Sequence, residues 1–287
     1  SALDAGKTVA MVAGQNRPLF EFADQGDNWT LVDAAAMVPV LAMPTTAGTG
    51  SEVGRAAVIT DESERRKKII FHPQMLPAQV LLDPELCVGL PRQLTAATGM
   101  DALSHSLEAL CAPGYHPMAV GIALEGIRLV KDYLPRACDD GTDLEARTQM
   151  LVASSMGATA FQRGLGAMHA LSHSLGALYN SHHGLLNAIV MPYVLRANAT
   201  AIVEPLTAAA RYLDLPGRNA AALVDWVLGL RAELEIPAKL ADIDIDTAEA
   251  ELVGQMACTD PTAATNPVAF DAAQYGALFR RAVEGAL

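Results

Sequence analysis

The segment Gly166-Ala167-Met168-His169-Ala170-Leu171-Ser172-His173-Ser174-Leu175-Gly176-Ala177-Leu178-Tyr179-Asn180-Ser181-His182-His183-Gly184 holds more than half of the seven histidines in the chain. His169 and His173 stand at i and i+4, one turn apart on one helix face. Ala, Leu, Met, Ser and Gly surround them, a composition that predicts a buried helix over 166–178. Burying two imidazoles costs free energy unless each finds a partner, and either a metal or ordinary hydrogen bonds meet that need. A continuous helix would carry His183 ~21 Å beyond His169. For both to reach one ion the helix must end and the chain return. Tyr179-Asn180-Ser181 and Gly184 are suitable breakers.

A second segment carries a further histidine: Ala97-Thr98-Gly99-Met100-Asp101-Ala102-Leu103-Ser104-His105-Ser106-Leu107-Glu108-Ala109. Asp101 and His105 are also at i and i+4, ~6 Å apart along a helix axis. Such a pair either converges on an ion or forms an Asp–His contact on a helix surface. Imidazoles with a carboxylate make an N/O donor set that suits Fe²⁺ or Zn²⁺ better than Mg²⁺ or Ca²⁺. Thiolates are absent from it, which argues against a structural zinc knot. Cys87, Cys111, Cys138 and Cys258 are far apart, form no CxxC pattern, and read as free thiols in a reducing cytosol.

Upstream of these helices the pattern is strand-like. Val38–Met43 predicts a buried strand, followed by the small-residue, hydroxyl-rich loop Pro44-Thr45-Thr46-Ala47-Gly48-Thr49-Gly50-Ser51-Glu52. Ala56–Thr60 and Lys67–Phe71 predict two strands joined by the charged turn 61–66. Val80–Leu82 is a further short strand. Ser1 and Asp4 have capping-box spacing ahead of a first helix, which suggests that sequence precedes it. Beyond about residue 90 the apolar residues recur at three and four, as in 119–134, 144–160, 201–213 and 220–234. The stretch 258–267 predicts a loop before a last helix over 271–285. The expected organisation is therefore α/β over 1–88 and all-helical over 89–287.

A net charge of −12 argues against nucleic acid or an anionic membrane as partner. With 51% hydrophobic residues the chain can bury a sizeable core. No apolar run reaches bilayer length, so a cytoplasmic globular protein is expected.

Taken together, the 44–52 loop, the Ala97–His105 segment and His169-x3-His173-x9-His183-Gly184, continued by Asn187, Ala188 and Pro192, resemble the iron-containing (group III) alcohol dehydrogenase family. The resemblance implies a dehydroquinate synthase-like fold: a dinucleotide-binding α/β domain, here partial, followed by a helical metal-binding domain. It implies Asp101, His105, His169 and His183 as ligands of Fe²⁺ or Zn²⁺. It implies His173 as the proton-relaying catalytic residue. Ser1, Asp4, Thr45, Thr46, Thr49 and Lys67 fall where the family contacts NAD or NADP. The implied activity is hydride transfer between a short-chain alcohol or aldehyde and NAD(P), in a homo-oligomer. Two departures stand out. The family's phosphate-binding glycine run should precede Ser1, and Val268 follows Asn266-Pro267 where the family often has Arg. Competing expectations are a maleylacetate reductase-like oxidoreductase, a metal-dependent hydrolase, and a truncated, non-catalytic helical binding domain.

Overall fold

The computed structural model describes residues 2–64 and 66–287. Ser1, expected as a cap and a cofactor contact, lies outside the described residues. The first helix, α1 (Ala2–Val12), packs on a hairpin of β2 (Ala56–Asp61) and β3 (Arg66–Phe71). The hairpin is antiparallel, with Ala56 opposite Phe71 and Thr60 opposite Lys67. Its turn closes because Asp61 Oδ1 accepts from the backbone N–H and hydroxyl of Ser63 and from the Glu64 N–H, the local bonding that makes Asp a turn former.

The strand expected over Val38–Met43 is reduced to β1 (Leu41–Ala42), paired in parallel with β4 (Gln79–Val80). Val38, Leu41 and Met43 are exposed, and Ala42 is the buried side chain of the strand. A buried strand needs both faces covered; this two-stranded pair covers one. The tight turn after it starts a left-handed Gly50, φ 63°, whose missing Cβ would lie 2.2 Å from Ala158 Cβ. The loop is thereby seated against the helical part.

That part comprises α2 (Arg92–Cys111), α3 (Pro117–Asp139), α4 (Leu144–Ala160), α5 (Ala167–Tyr179), α6 (His183–Ala197), α7 (Val203–Tyr212), α8 (Ala220–Glu233), α9 (Ala250–Cys258) and α10 (Ala272–Glu284). A short 3₁₀ turn, Pro261–Thr265, lies in the stretch expected as loop. Helix α2 is central: every residue from Thr95 to Leu110 is buried, and α3, α4 and α6 pack around it. Its many Ala, Gly and Ser residues let the neighbours approach on all sides, so it has no solvent face. No described helix is long and apolar enough to cross a membrane.

Candidate metal centre

Three helices bring the singled-out side chains together. Helix α2 presents Asp101, His105 and Glu108, and α5 presents His169 and His173. Helix α5 stops at Asn180, which takes a left-handed φ of 51°, a conformation Asn tolerates better than most residues. The chain then reverses. His182, for which the sequence suggested no role, caps α6: its Nδ1 accepts from the Leu185 N–H at 3.3 Å. His183 is the first residue of α6. A Cβ on Gly184 would sit 2.3 Å from the Ala97 carbonyl oxygen, so the glycine lets α6 press directly on α2. His183 Nε2 consequently lies 3.6 Å from Asp101 Oδ1.

Asp101, His169 and His183 each offer a ligand atom within 4.8 Å of the others. His105 adjoins this group without belonging to it. Its ring stacks on His169, centroids 4.7 Å apart and 20° from parallel, and also meets the Phe161 ring, tilted, at 5.0 Å. Of the four expected ligands, three converge directly, and the fourth, His105, is stacked against one of them.

The donor set fits a divalent cation. Asn187 Nδ2 lies 2.8 Å from Asp101 Oδ1, 3.3 Å from His169 Nε2 and 3.2 Å from His183 Nε2. An amide nitrogen has only two hydrogens for these three neighbours, so it cannot donate to all of them at once. The Nδ1 atoms of His105 and His183 and the Oδ1 of Asn187 are buried without hydrogen-bond partners. A cation accommodates converging lone pairs of this kind.

Behind these residues lie two carboxylates that sequence reasoning did not single out. Glu108 Oε2 is 2.6 Å from His169 Nδ1 in a fully buried contact, and its Oε1 accepts from the Met168 N–H. With Nδ1–H directed at Glu108, His169 turns Nε2 toward Asp101, the carboxylate–histidine arrangement that orients metal-binding imidazoles. Asp260 Oδ2 is 3.0 Å from His173 Nδ1, and Thr262 fixes Asp260 through its N–H and hydroxyl.

The electrostatics follow from burial and proximity. Burial works against the Asp101 carboxylate, but the three imidazoles and the Asn187 amide outweigh it and hold its pKa well below the usual range. Burial pushes His105 down to about 4 against the pull of Asp101, and it lowers His183 as well. For His169 burial is overcome by the charge and hydrogen bond of Glu108, so its pKa is raised. Burial likewise opposes ionisation of Asp260, yet the hydrogen bonds from His173 and Thr262 keep its pKa lowered.

Two cavities meet at His173. One, about 280 Å³, is lined by His105, His169 and His183 together with Thr49, Phe161 and Arg55. The other, about 350 Å³, is lined by Lys67, Asp260 and Glu64. His173 is in the wall of both. Of the residues expected at a cofactor, Thr49 faces the first cavity and Lys67 the second, where burial lowers the Lys67 pKa. Thr45 is exposed and Thr46 half-buried. The capping box read from the sequence involves Ser1 and so lies outside the described residues. Asp4 is in the wall of the first cavity, and its carboxylate is buried. It accepts from the Ser51 hydroxyl and the Val58 N–H, long-range bonds that tie α1 to the loop and the hairpin.

Residues 95–283 match the C-terminal model of the Fe-containing alcohol dehydrogenase family, and residues 1–84 match the model for iron-containing alcohol dehydrogenase. The chain is 40% identical over 286 residues to 4-hydroxybutyrate dehydrogenase of Cupriavidus necator, covering 96% of this chain and 73% of that protein. It is 35% identical over 277 residues to the NAD-dependent methanol dehydrogenase of Bacillus methanolicus, covering 93% and 71%. Among solved structures, a 1,3-propanediol oxidoreductase superposes with a TM-score of 0.91 at 34% identity, over 98% of this chain and 74% of that one.

Proposed function

The chain belongs to the iron-containing alcohol dehydrogenase family, and on that premise we propose that Asp101, His105, His169 and His183 hold Fe²⁺ or Zn²⁺ in an NAD- or NADP-dependent alcohol dehydrogenase. The observation that carries this reading is the convergence of Asp101, His169 and His183 within 4.8 Å, with His105 stacked beside them. When bound, the cation polarises an alcohol or aldehyde oxygen and the nicotinamide exchanges the hydride.

The chain's own residues do the rest. Glu108 keeps His169 in one tautomer and one orientation. Asn187 holds Asp101 Oδ1. The apolar cavity wall around Phe161 excludes water from the alkyl part of the substrate. His173, standing in both cavities, is the proton relay: Asp260 holds its Nδ1, leaving Nε2 to take the hydroxyl proton toward the side of Lys67. Asp4, Thr45, Thr46, Thr49 and Lys67 are the cofactor contacts, with Thr49 and Lys67 on the two sides of that histidine. We place the division between the α/β and helical parts near residue 88.

The test follows nicotinamide absorbance with short primary alcohols in the metal-loaded protein, before and after His173→Ala. Loss of hydride transfer without loss of metal supports the reading. Loss of the metal on His173→Ala overturns the roles given to the two α5 histidines.

A further inference from the structure

Helix α5 starts without a cap of its own. Its N-cap position is Gly166, which has no side chain to accept from the first turn, and the first N–H groups of a helix have no partner within it. Two side chains distant in sequence supply the acceptors. Asn266 Oδ1 accepts from the Ala167 N–H at 3.0 Å, and Glu108 Oε1 accepts from the Met168 N–H at 2.7 Å. Glycine lets both come this close: a Cβ at Gly166 would sit 2.7 Å from Asn266 Oδ1 and 3.1 Å from Glu108 Oε1. The other oxygen of Glu108 holds His169 Nδ1.

Asn266 is buried, and its amide is fully engaged. Oδ1 accepts a second bond from Asn198 Nδ2 at 3.0 Å, while Nδ2 donates to Asn198 Oδ1 at 2.9 Å and to the Val268 carbonyl at 2.7 Å. Asn198, also buried, ends α6. The amide pair thus ties the end of α6, the helix that His183 begins, to the start of α5, which carries His169. Thr265 adds a bond to the Leu165 carbonyl at 2.7 Å. Earlier in the same segment Asp260 holds His173. The segment therefore grips α5 at Ala167 and at His173, ~9 Å apart along the helix axis.

We propose that Asn266, braced by Asn198, is a positioning residue for the cation site, acting through the start of α5 and Glu108 on His169. The proposal rests on the reading above that His169 is a ligand. Without the Asn266 amide, the Ala167 N–H is a buried donor that has lost its acceptor, which costs free energy. Of the two acceptors at that end of the helix, Glu108 remains. A carboxylate drawn toward two N–H groups gives up its alignment on His169 Nδ1, and the imidazole loses its fixed orientation. Asn198 acts through Asn266, so its removal has the smaller effect and does not add to the loss of Asn266.

The test loads the protein with Co²⁺ alone, whose visible absorption bands report ligand geometry, and measures affinity by competition against a calibrated chelator. Asn266→Ala, Asn198→Ala and the double variant are compared with Tyr193→Phe. That control removes another hydrogen bond of α6, from the Tyr193 hydroxyl to the Ala238 carbonyl at 2.8 Å, away from α5. Asn266→Ala is expected to weaken Co²⁺ binding about tenfold and to shift the visible bands. Asn198→Ala should give a smaller loss, still beyond about twofold, and the double variant should match Asn266→Ala within about twofold. Tyr193→Phe should lower thermal stability and leave affinity and bands unchanged. Affinity and bands of Asn266→Ala that stay as in Tyr193→Phe overturn the proposal and leave the metal-site reading intact. If Asn266→Ala does not fold, Asn198→Ala decides alone: an affinity within about twofold of the unaltered protein overturns the proposal, and a larger loss supports it. Absence of tight Co²⁺ binding in the unaltered protein overturns both readings.

Discussion

Glu108 and Asp260 each face one ring nitrogen of an α5 histidine and so decide which nitrogen faces the cavity. Buried and 2.6 Å from His169 Nδ1, Glu108 has the shape of an outer partner that strengthens a metal site. Glu108→Gln keeps the size and the possibility of a hydrogen bond but removes the charge. It is expected to weaken metal binding on the order of 10–100-fold with the fold retained, as read by competition against a calibrated chelator. An unchanged affinity would count against the orienting role. His173→Ala should leave metal content intact and slow turnover roughly 100-fold or more, measured by metal analysis and steady-state kinetics on the same sample. The i and i+4 spacings made Asp101, His105, His169 and His173 legible in the sequence. Glu108 lay in the same quoted helix, two turns beyond Asp101, yet a lone helix carboxylate ordinarily reads as solvated. Only the burial of the whole of α2 shows that it must have a partner. Asp260 comes from a loop far along the chain, and no local pattern pairs it with His173.

Among the elements, the reversal from α5 into α6 has the largest effect on the site, since it carries His183 back to Asp101. The breakers at 179–181 were readable, but α6 itself was not. Its residues Leu186–Leu195 are all buried, so no apolar stripe of helical period marks it, and Pro192 lies inside it. Likewise Val38–Met43 reads as a buried strand because composition does not say how many neighbours a strand has. The hairpin over 56–71 and α4 over 144–160 have almost their expected limits, because the polar turn and the recurrence of apolar residues at three and four are local signals. At this scale Gly184 is the sensitive point. With the Ala97 carbonyl oxygen 2.3 Å from where a Cβ would be, Gly184→Ala must push α6 away from α2. It is expected to cost about 1–3 kcal/mol of stability and to weaken metal binding by separating His183 from Asp101. Thermal unfolding and the chelator competition, run together, check both. Stability lost with affinity unchanged would show that the α2–α6 contact does not set the site.

For the whole molecule, the concentration of imidazoles in the interior ties stability to pH. His105, at about 4 when folded against 6.5 unfolded, and His183, also lowered, are neutral in the folded protein near neutrality. Between those values the unfolded chain binds more protons, so their contribution is complete above about pH 6.5 and is lost as pH falls toward 4. For His105 alone the difference is roughly 3 kcal/mol. His169, raised by Glu108, acts in the opposite sense: its contribution is present below about pH 6.5 and fades as pH rises above it. Metal-free protein should therefore lose thermal stability steeply between pH 6.5 and 4, and His105→Asn should flatten that slope. An identical slope in the variant would contradict the burial of His105 as a neutral ring.

The account as a whole stands on one cation being shared by side chains from α2, α5 and α6. Anaerobic titration of the metal-free protein with Fe²⁺ tests this most directly, alongside Asp101→Asn, His169→Ala, His183→Ala and His173→Ala. The account predicts one tightly bound ion per chain in the unaltered protein and in His173→Ala, with tight binding lost in the other three. Tight binding that survives His169→Ala and His183→Ala, or that vanishes in His173→Ala, would contradict it.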